Sequence, residues 1–550
     1  MVLDDIPLLV GLLRQLRLPE ILESALGTHG NTRLTMGLDN GLALSVWLVY
    51  LLSAGDHRKV VLADWVAQHA EILSFCFETP VTSADFSDDR LSTLMIRLQQ
   101  PACWEQVEID FFSGLLKVYD PGAERLHVDA TTAYGYHDPH GTGLMQMGYA
   151  KSGMPTGLAQ VKLMGATTSR GQLVACTVVP GNTSDSPLYI PLIQRVRRQL
   201  GTGRLYVGDC KMATLPTRED LVAHGDTYIV PLSRTETGGN PTEWLRNPEV
   251  EWQQTTLLWR QAMDPEKTAL LGGVWETTRT VTRPTRSWQE RVLIVYSRPL
   301  AKKQAETLAG HLAKATQAIL ALTPPPKRGR PQFHEGDKLD IAIKTILKRE
   351  GVEDVLKVTY QAEEGSKRKA GRLVITAVTQ EKVVLAARRE ILGWRVLVTN
   401  EPKEKLAATD VLLDYREEYV VERFFHVLKD QPVGLRPFWV RTDKQIRGIA
   451  YFLTIAARVM TYMEHRLQDT LVEQEEKLAG LHPGQSHLKT DHPTAKRVLE
   501  TFARIHPLRI GISTPMGEIY QIVNLTPLLS QIVKLLGLPE DVYTRLDDTS

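Results

Sequence analysis

Along the 550 residues the spacing of apolar positions changes character twice. Up to about residue 115 they recur at helical spacing, in Leu-rich segments at 8–18, 41–54 and 91–98 separated by Gly, Asn and Asp loops. From Leu126 short β-type runs take over: LHVDATT (126–132), GLAQVKLMGAT (157–167) and QLVACTVVP (172–180). A helix is predicted from near Asp185 through SPLYIPLIQRVRRQL, then a strand RLYVGD (204–209), a helix REDLVAHG (218–225) and a strand TYIVPL (227–232).

Three strands, helix, strand, helix, strand is the order of an RNase H-like domain. Its parallel crossover lets the first and fourth strands lie side by side. Residues 235–392 interrupt that order with further β-like runs (VWETTRTVT, RVLIVYS, GRLVITAVT) and a helix at 301–322. The strand GWRVLVTN (393–400) and a helix around 407–430 then resume it. The expected class is α/β multidomain, an RNase H-like mixed sheet flanked by helices and interrupted by an inserted β-containing domain. Its parts are a helical N-terminal domain (1–115), the core (120–234 and 393–445), the insertion (235–392) and a helical C-terminal region (446–550).

Composition narrows the picture. The longest apolar run, residues 41–54, is shorter than the ~20 residues that span a bilayer, so a buried helix is expected there. The N-terminus lacks the basic stretch and small-residue site of a secretion signal, and a cytoplasmic protein is expected. Four cysteines without CxxC pairing indicate neither a disulfide framework nor a zinc knuckle. Residues 1–110 carry seven Lys+Arg against fifteen Asp+Glu, a balance of −8, which leaves +9 for the rest of a chain whose total is +1. An electrostatic footprint for phosphates therefore lies C-terminal to residue 110.

The chemistry concentrates in three acids. Asp129 and Asp209 each close an apolar run, where a strand is expected to meet its loop, and Glu422 sits inside the helical segment YREEYVVERFFHVLK. Carboxylates delivered by two strands and a helix suit hard divalent cations and phosphoryl transfer. On one continuous helix Tyr415, Glu422 and Lys429, spaced at sevens, share a face beside the apolar stripe of Val421, Phe424, Phe425 and Leu428. The plainer alternatives are an Asp that terminates a strand and an amphipathic helix with a solvated charged face.

These residues resemble bacterial insertion-sequence DDE transposases, specifically the group with a domain inserted before the glutamate. The likeness rests on HVDATT, PGNTSDS (180–186), YVGDCKMAT, VVERFFHVLK and a tyrosine, arginine, glutamate, lysine signature falling on Tyr415, Glu418, Glu422 and Lys429. Glu418 departs from the arginine of that signature, which puts the phosphate contact in question and directs attention to Arg423 and Arg436. The resemblance implies that Asp129, Asp209 and Glu422 hold two Mg²⁺ ions, with Mn²⁺ able to substitute. It further implies that Tyr415 and Lys429 contact DNA, and that the partners are double-stranded terminal repeats and target DNA, held by a homodimer or larger assembly.

Other features admit two readings. His426, four residues after Glu422, is a ligand or a hydrogen-bonding neighbour; Asp138, His140 and Asp185 are turn or cap residues near the presumed site. Arg328-Gly329-Arg330-Pro331 resembles the core of an AT-hook, or is a charged Pro-rich linker. Arg195, Arg197, Arg198 and Arg204, and Lys367, Arg368, Lys369 and Arg372, either track phosphates or are solvated surface. Trp275 and Trp288 either stack on a flipped base or are core. Arg436, Arg441, Lys444 and Arg447 flank a Trp-containing segment and are candidates to grip DNA. The competing functions are a cleavage-deficient DNA-binding relative and an RNase H-like nuclease without strand transfer.

Overall fold

A computed structural model describes residues 3–28, 37–119, 124–139, 141, 143–148, 157–261, 264–325, 327, 332–364, 371–417, 419–485, 487–506, 508–514, 517–523, 525–539 and 541–544. The chain forms two compact units, Met1–Tyr228 with Leu413–Ser550, and Ile229–Leu412.

The first unit opens with helices α1 (Ile6–Gln15), α2 (Leu18–Thr28), α3 (Asn40–Ala54), α4 (Lys59–Phe77), α5 (Asp88–Leu98) and α6 (Pro101–Tyr119). The run expected to be a buried helix is α3, apolar on every side and buried almost throughout, ended by Gly55 in the left-handed region at φ 65°. Among the described residues α4 is long and apolar enough to cross a membrane, and its Leu62, Val66, Ile72, Leu73, Cys76 and Phe77 are spent in the helical core.

The β-rich pattern then folds in the expected order: β1 (Arg125–Gly135), β2 (Ala159–Thr168), β3 (Leu173–Pro180), α7 (Tyr189–Leu200), β4 (Leu205–Gly208), α8 (Leu215–Ala223) and β5 (Thr227–Pro231). Neighbouring strands run β3-β2-β1-β4, antiparallel except for the parallel β1–β4 pair.

The second unit holds α9 (Pro241–Leu245), β6 (Gln253–Gln261), β7 (Asp264–Thr282), β8 (Ser287–Ser297), α10 (Arg298–Leu320), α11 (Gly336–Glu350), β9 (Leu356–Glu363), β10 (Arg372–Gln380), α12 (Lys382–Glu390) and β11 (Trp394–Thr399). Strand β11, expected to resume the core, pairs with Ile229–Pro231 of β5 on one edge and with β8 on the other. The β9–β10 hairpin packs with α10 and α11 around a separate core containing Leu312, Ile319, Leu339 and Ile343. Trp288 is buried, and Trp275 packs against Trp394 with ring centroids 5.2 Å apart, so both tryptophans serve packing.

After α13 (Ala408–Arg416) the first unit continues with α14 (Tyr419–Lys429) and α15 (Asp443–Glu473), a 31-residue helix whose middle is buried on nearly all sides. Gly448 makes this possible: a Cβ there would stand 2.2 Å from the Met95 carbonyl oxygen of α5. The C-terminal stretch departs from the all-helical expectation. Between α16 (Ala495–Ile505) and α17 (Pro527–Leu535), residues Leu508–Thr514 and Gly517–Val523 pair as an antiparallel hairpin, which their alternating apolar pattern favours.

At the start of α1, burial pushes the Asp5 carboxyl up to about 7; Asp4 adds to the rise, and a hydrogen bond with Ser53 opposes it. The folded chain thus keeps a proton that the unfolded chain, with an ordinary carboxyl near ~3.9, releases. That contribution is fully present below about pH 4 and is lost as pH rises towards 7. Relative to Asp5→Asn, the wild type is therefore expected to lose urea stability between pH 4 and 7, by about 1.4 kcal/mol per pKa unit of difference. Urea midpoints for both proteins across this range are the check, and a difference that does not vary with pH would refute it.

Candidate active site

The parallel β1–β4 ladder runs from Arg125↔Leu205 to Val128↔Gly208. The next residue of each strand is an acid, Asp129 and Asp209, on backbones about 5 Å apart. Asp209 stands where β4 meets its loop, as the sequence suggests. Asp129 does not end its strand: β1 continues to Gly135 because ATTAYG pairs with β2, and Asp129 lies opposite Gly165. What stops at Asp129 is the ladder with β4, so both carboxylates sit at the point where the two strands part. Each is half-buried.

Tyr189, the first residue of α7, was not marked by the sequence reading, since an aromatic after PGNTSDSPL is indistinguishable from a core residue. Its hydroxyl donates to Asp209 Oδ1 at 2.6 Å, and the same oxygen accepts from Lys211 N at 2.8 Å. Burial first, and then the negative charges of Asp209, Asp129 and Asp185, raise the Tyr189 phenol well above its ordinary value, so it remains a donor. Of these acids Asp209 holds the hydroxyl directly, while Asp185 is ion-paired to Lys162 of β2. Tyr189→Phe removes the bond that orients Asp209 and is expected to raise the Mg²⁺ concentration needed for activity roughly 10-fold or more. Metal titration of the variant reads this directly; an unchanged requirement would exclude an orienting role.

Glu422 is carried on α14, which packs on β1 and β2 through Val421, Phe424, Phe425 and Leu428. Gly165, the residue facing Asp129, lies under the Phe425 ring of α14, where a Cβ would stand 3.5 Å from the ring and 3.0 Å from Leu173 Cδ1 of β3. Glu422 is exposed one turn earlier. The single helix expected over 407–430 is two, α13 ending at Arg416 and α14 starting at Tyr419. One continuous helix would set Glu418 in line with Val411, Val421 and Phe425, an uncompensated charge on the docking stripe. Tyr415 therefore lies on a different helix from Glu422 and Lys429, which share a face of α14. Asp414, in the last turn of α13, ties this region to the start of β1 through an ion pair with Arg125 at 2.8 Å.

Among the described residues no three Asp, Glu, His or Cys side chains are gathered closely enough to hold one metal ion. Asp129 and Asp209 fit a hard cation in donor chemistry and register, whereas Glu422 stands outside their group. His426 is exposed on α14.

Several basic candidates already have partners. Arg195 and Arg198 pair with Glu108 and Glu105, Arg197 with Asp220 and Asp226, and Arg204 donates to Leu200 O; Arg372 pairs with Glu363 and Arg423 with Glu464. Their phosphate role is thus in competition with structural bonds. Arg436 is half-buried, and Arg441 and Lys444 are exposed. Arg328, Arg330, Lys367, Arg368, Lys369, His140 and Glu418 lie outside the described residues, and Asp138 is exposed in the loop after β1.

Residues 120–458 match the family described as "Transposase DDE domain". The chain belongs to this family. The match takes in β1, β4 and α14 and therefore Asp129, Asp209 and Glu422. No curated protein matches. Among solved structures the chain is similar to a piggyBac transposase synaptic complex with hairpin DNA, at 9% identity and TM-score 0.35 over 90% of this chain and 79% of that one, a likeness too distant to argue from. Membership in the DDE transposase family makes the protein a DNA-cleaving and strand-transferring enzyme of a generally divalent-metal-dependent kind.

Proposed function

We propose that this DDE transposase cuts DNA at the ends of an insertion sequence and joins them to target DNA, with Asp129, Asp209 and Glu422 as its metal-holding carboxylates. The register that sets Asp129 beside Asp209 at the parting of β1 and β4 carries this reading. Two Mg²⁺ ions, or Mn²⁺ in their place, would lower the pKa of an attacking water or 3′-OH and stabilise the leaving 3′ oxygen. The chain's own groups prepare that site. Tyr189 fixes one oxygen of Asp209, and Lys162 balances Asp185. Glu422, without a hydrogen bond or ion pair among the described residues, is available to turn toward the two aspartates when a phosphodiester is bound beside them. Lys429, on the same face of α14, is placed to meet a backbone phosphate as a point charge. Two ends must be held together for joining, which calls for a homodimer or larger assembly.

The test is incubation of the wild-type protein with DNA carrying the element's own ends in Mg²⁺, Mn²⁺ or EDTA. Nicking at the ends that needs either metal is expected. Cutting that survives EDTA, or cutting without strand transfer, would contradict the proposal.

A further inference from the structure

The far end of β1 carries a surface that the carboxylate chemistry does not use. Gly135, the last residue of β1, pairs in parallel with Phe438, whose N donates to Tyr134 O at 3.3 Å. His137 Nε2 donates to Val440 O at 2.7 Å, and Leu144 N donates to Asp443 Oδ1 at 3.0 Å. The segment 438–443 is thus laid along the extension of the strand that bears Asp129. This register sets Tyr136 beside Trp439 on backbones about 5 Å apart.

Both rings face water although the backbone beneath them is pinned: Tyr136 is 69% exposed and Trp439 59%. Trp439 also borders a cavity of about 330 Å³ with Val60, Val440 and Ile449, and Val60 is 73% exposed. Exposed aromatic area held this rigidly suits a flat partner. Arg441 and Lys444 flank it, exposed and without an ion pair or hydrogen bond among the described residues, whereas Arg58 and Lys59 on the cavity rim are matched by Asp56 and Asp88. Of the nearby acids, Asp443 is engaged by Leu144 N and Asp138 is exposed.

Rings for bases beside uncommitted cations for phosphates is the composition of a single-stranded nucleic-acid surface. An apolar protein face would cover the rings and leave the two cations unmatched. We propose that unpaired bases of the DNA strand whose phosphodiester lies at Asp129 and Asp209 stack on Trp439 and Tyr136, with their phosphates on Arg441 and Lys444. This rests on the nicking reading above and adds a measure to it. From Asp129 to Gly135 β1 covers about 20 Å at ~3.3 Å per residue. The stacked bases therefore lie at most about six nucleotides from the cut, the count for a strand that keeps the duplex rise of ~3.4 Å per nucleotide.

The experiment compares binding of an arbitrary-sequence duplex containing a central six-nucleotide unpaired stretch with its fully paired form, using full-length protein. The wild type is expected to prefer the unpaired form. Trp439→Ala and Tyr136→Ala each weaken binding to it roughly 5- to 100-fold, while Trp439→Phe keeps most of the affinity. Arg441→Gln with Lys444→Gln lowers the slope of log affinity against log salt by about 1.4. The aromatic positions are exposed, so unchanged thermal melting confirms folding. Equal binding of Trp439→Ala and wild type overturns the proposal, as does a change in oligomeric state without a change in DNA affinity. Metal-dependent nicking measured in parallel separates the two ideas. Nicking with Trp439-independent binding sinks only the stacking surface, and Trp439-dependent binding without nicking supports the surface and sinks the cleavage reading.

Discussion

Asp129→Asn and Asp209→Asn are each expected to reduce metal-dependent nicking at least ~10³-fold, because a misheld cation forfeits several kcal/mol of transition-state stabilisation at ~1.36 kcal/mol per decade. Asparagine keeps the shape of both side chains, and its carbonyl can still accept from Tyr189, so melting should change little. Glu422→Gln is expected to behave alike in nicking and to leave stability unaffected, since Glu422 is exposed. DNA binding should survive in all three variants. Single-turnover nicking rates are the readout, and a variant retaining more than about a tenth of the wild-type rate would remove its residue from the carboxylate set.

The second large effect concerns stability. Glu108 of α6 is fully buried and binds Arg458 of α15 at 3.1 Å, Arg195 of α7, and the Cys176 backbone N of β3 at 2.9 Å. Arg458 is itself fully buried, its guanidinium 5.6 Å from the centre of the Trp104 ring. Burial pushes the Glu108 carboxyl up, against the pull of Arg195 and Arg458. Glu108→Ala strands Arg458 without its counter-charge and is expected to cost about 3–5 kcal/mol. Replacing Glu108 and Arg458 together, Glu108→Met with Arg458→Met, should cost less than the sum of the single changes, because the two fully buried charges leave together and only the partly exposed Arg195 loses a partner. Urea unfolding of the three variants decides this, and additive losses would show that the two charges are not energetically coupled. The family match ends at Arg458, while Glu108 lies outside it, so this pair binds the N-terminal helices to the DDE domain.

Strand order and the pairing of Asp129 with Asp209 were legible because period-2 apolar runs and a crossover rule fix which strands meet. The β1–β4 register, which ends at Val128↔Gly208 with an acid next on each strand, is a consequence of those runs. Three things were not legible. The break between α13 and α14 leaves the apolar period unbroken from Val411 to Leu428, so only the charge at Glu418 hints at it. Tyr189 acts through a hydrogen bond to a residue twenty positions away, which no local pattern encodes. Arg195 looks like a surface cation in sequence and is half of a buried ion pair, because its partner comes from a helix 87 residues earlier.

The proposed chemistry requires Glu422 to join Asp129 and Asp209 at one metal site when DNA is bound. Anomalous scattering from Mn²⁺ in crystals of the protein with DNA tests it most directly. Two Mn²⁺ peaks are expected, one held between Asp129 and Asp209 and the other completed by Glu422, with carboxylate oxygens at about 2.0–2.6 Å. Mn²⁺ bound away from the two aspartates, or Glu422 still outside its reach in that complex, would contradict it.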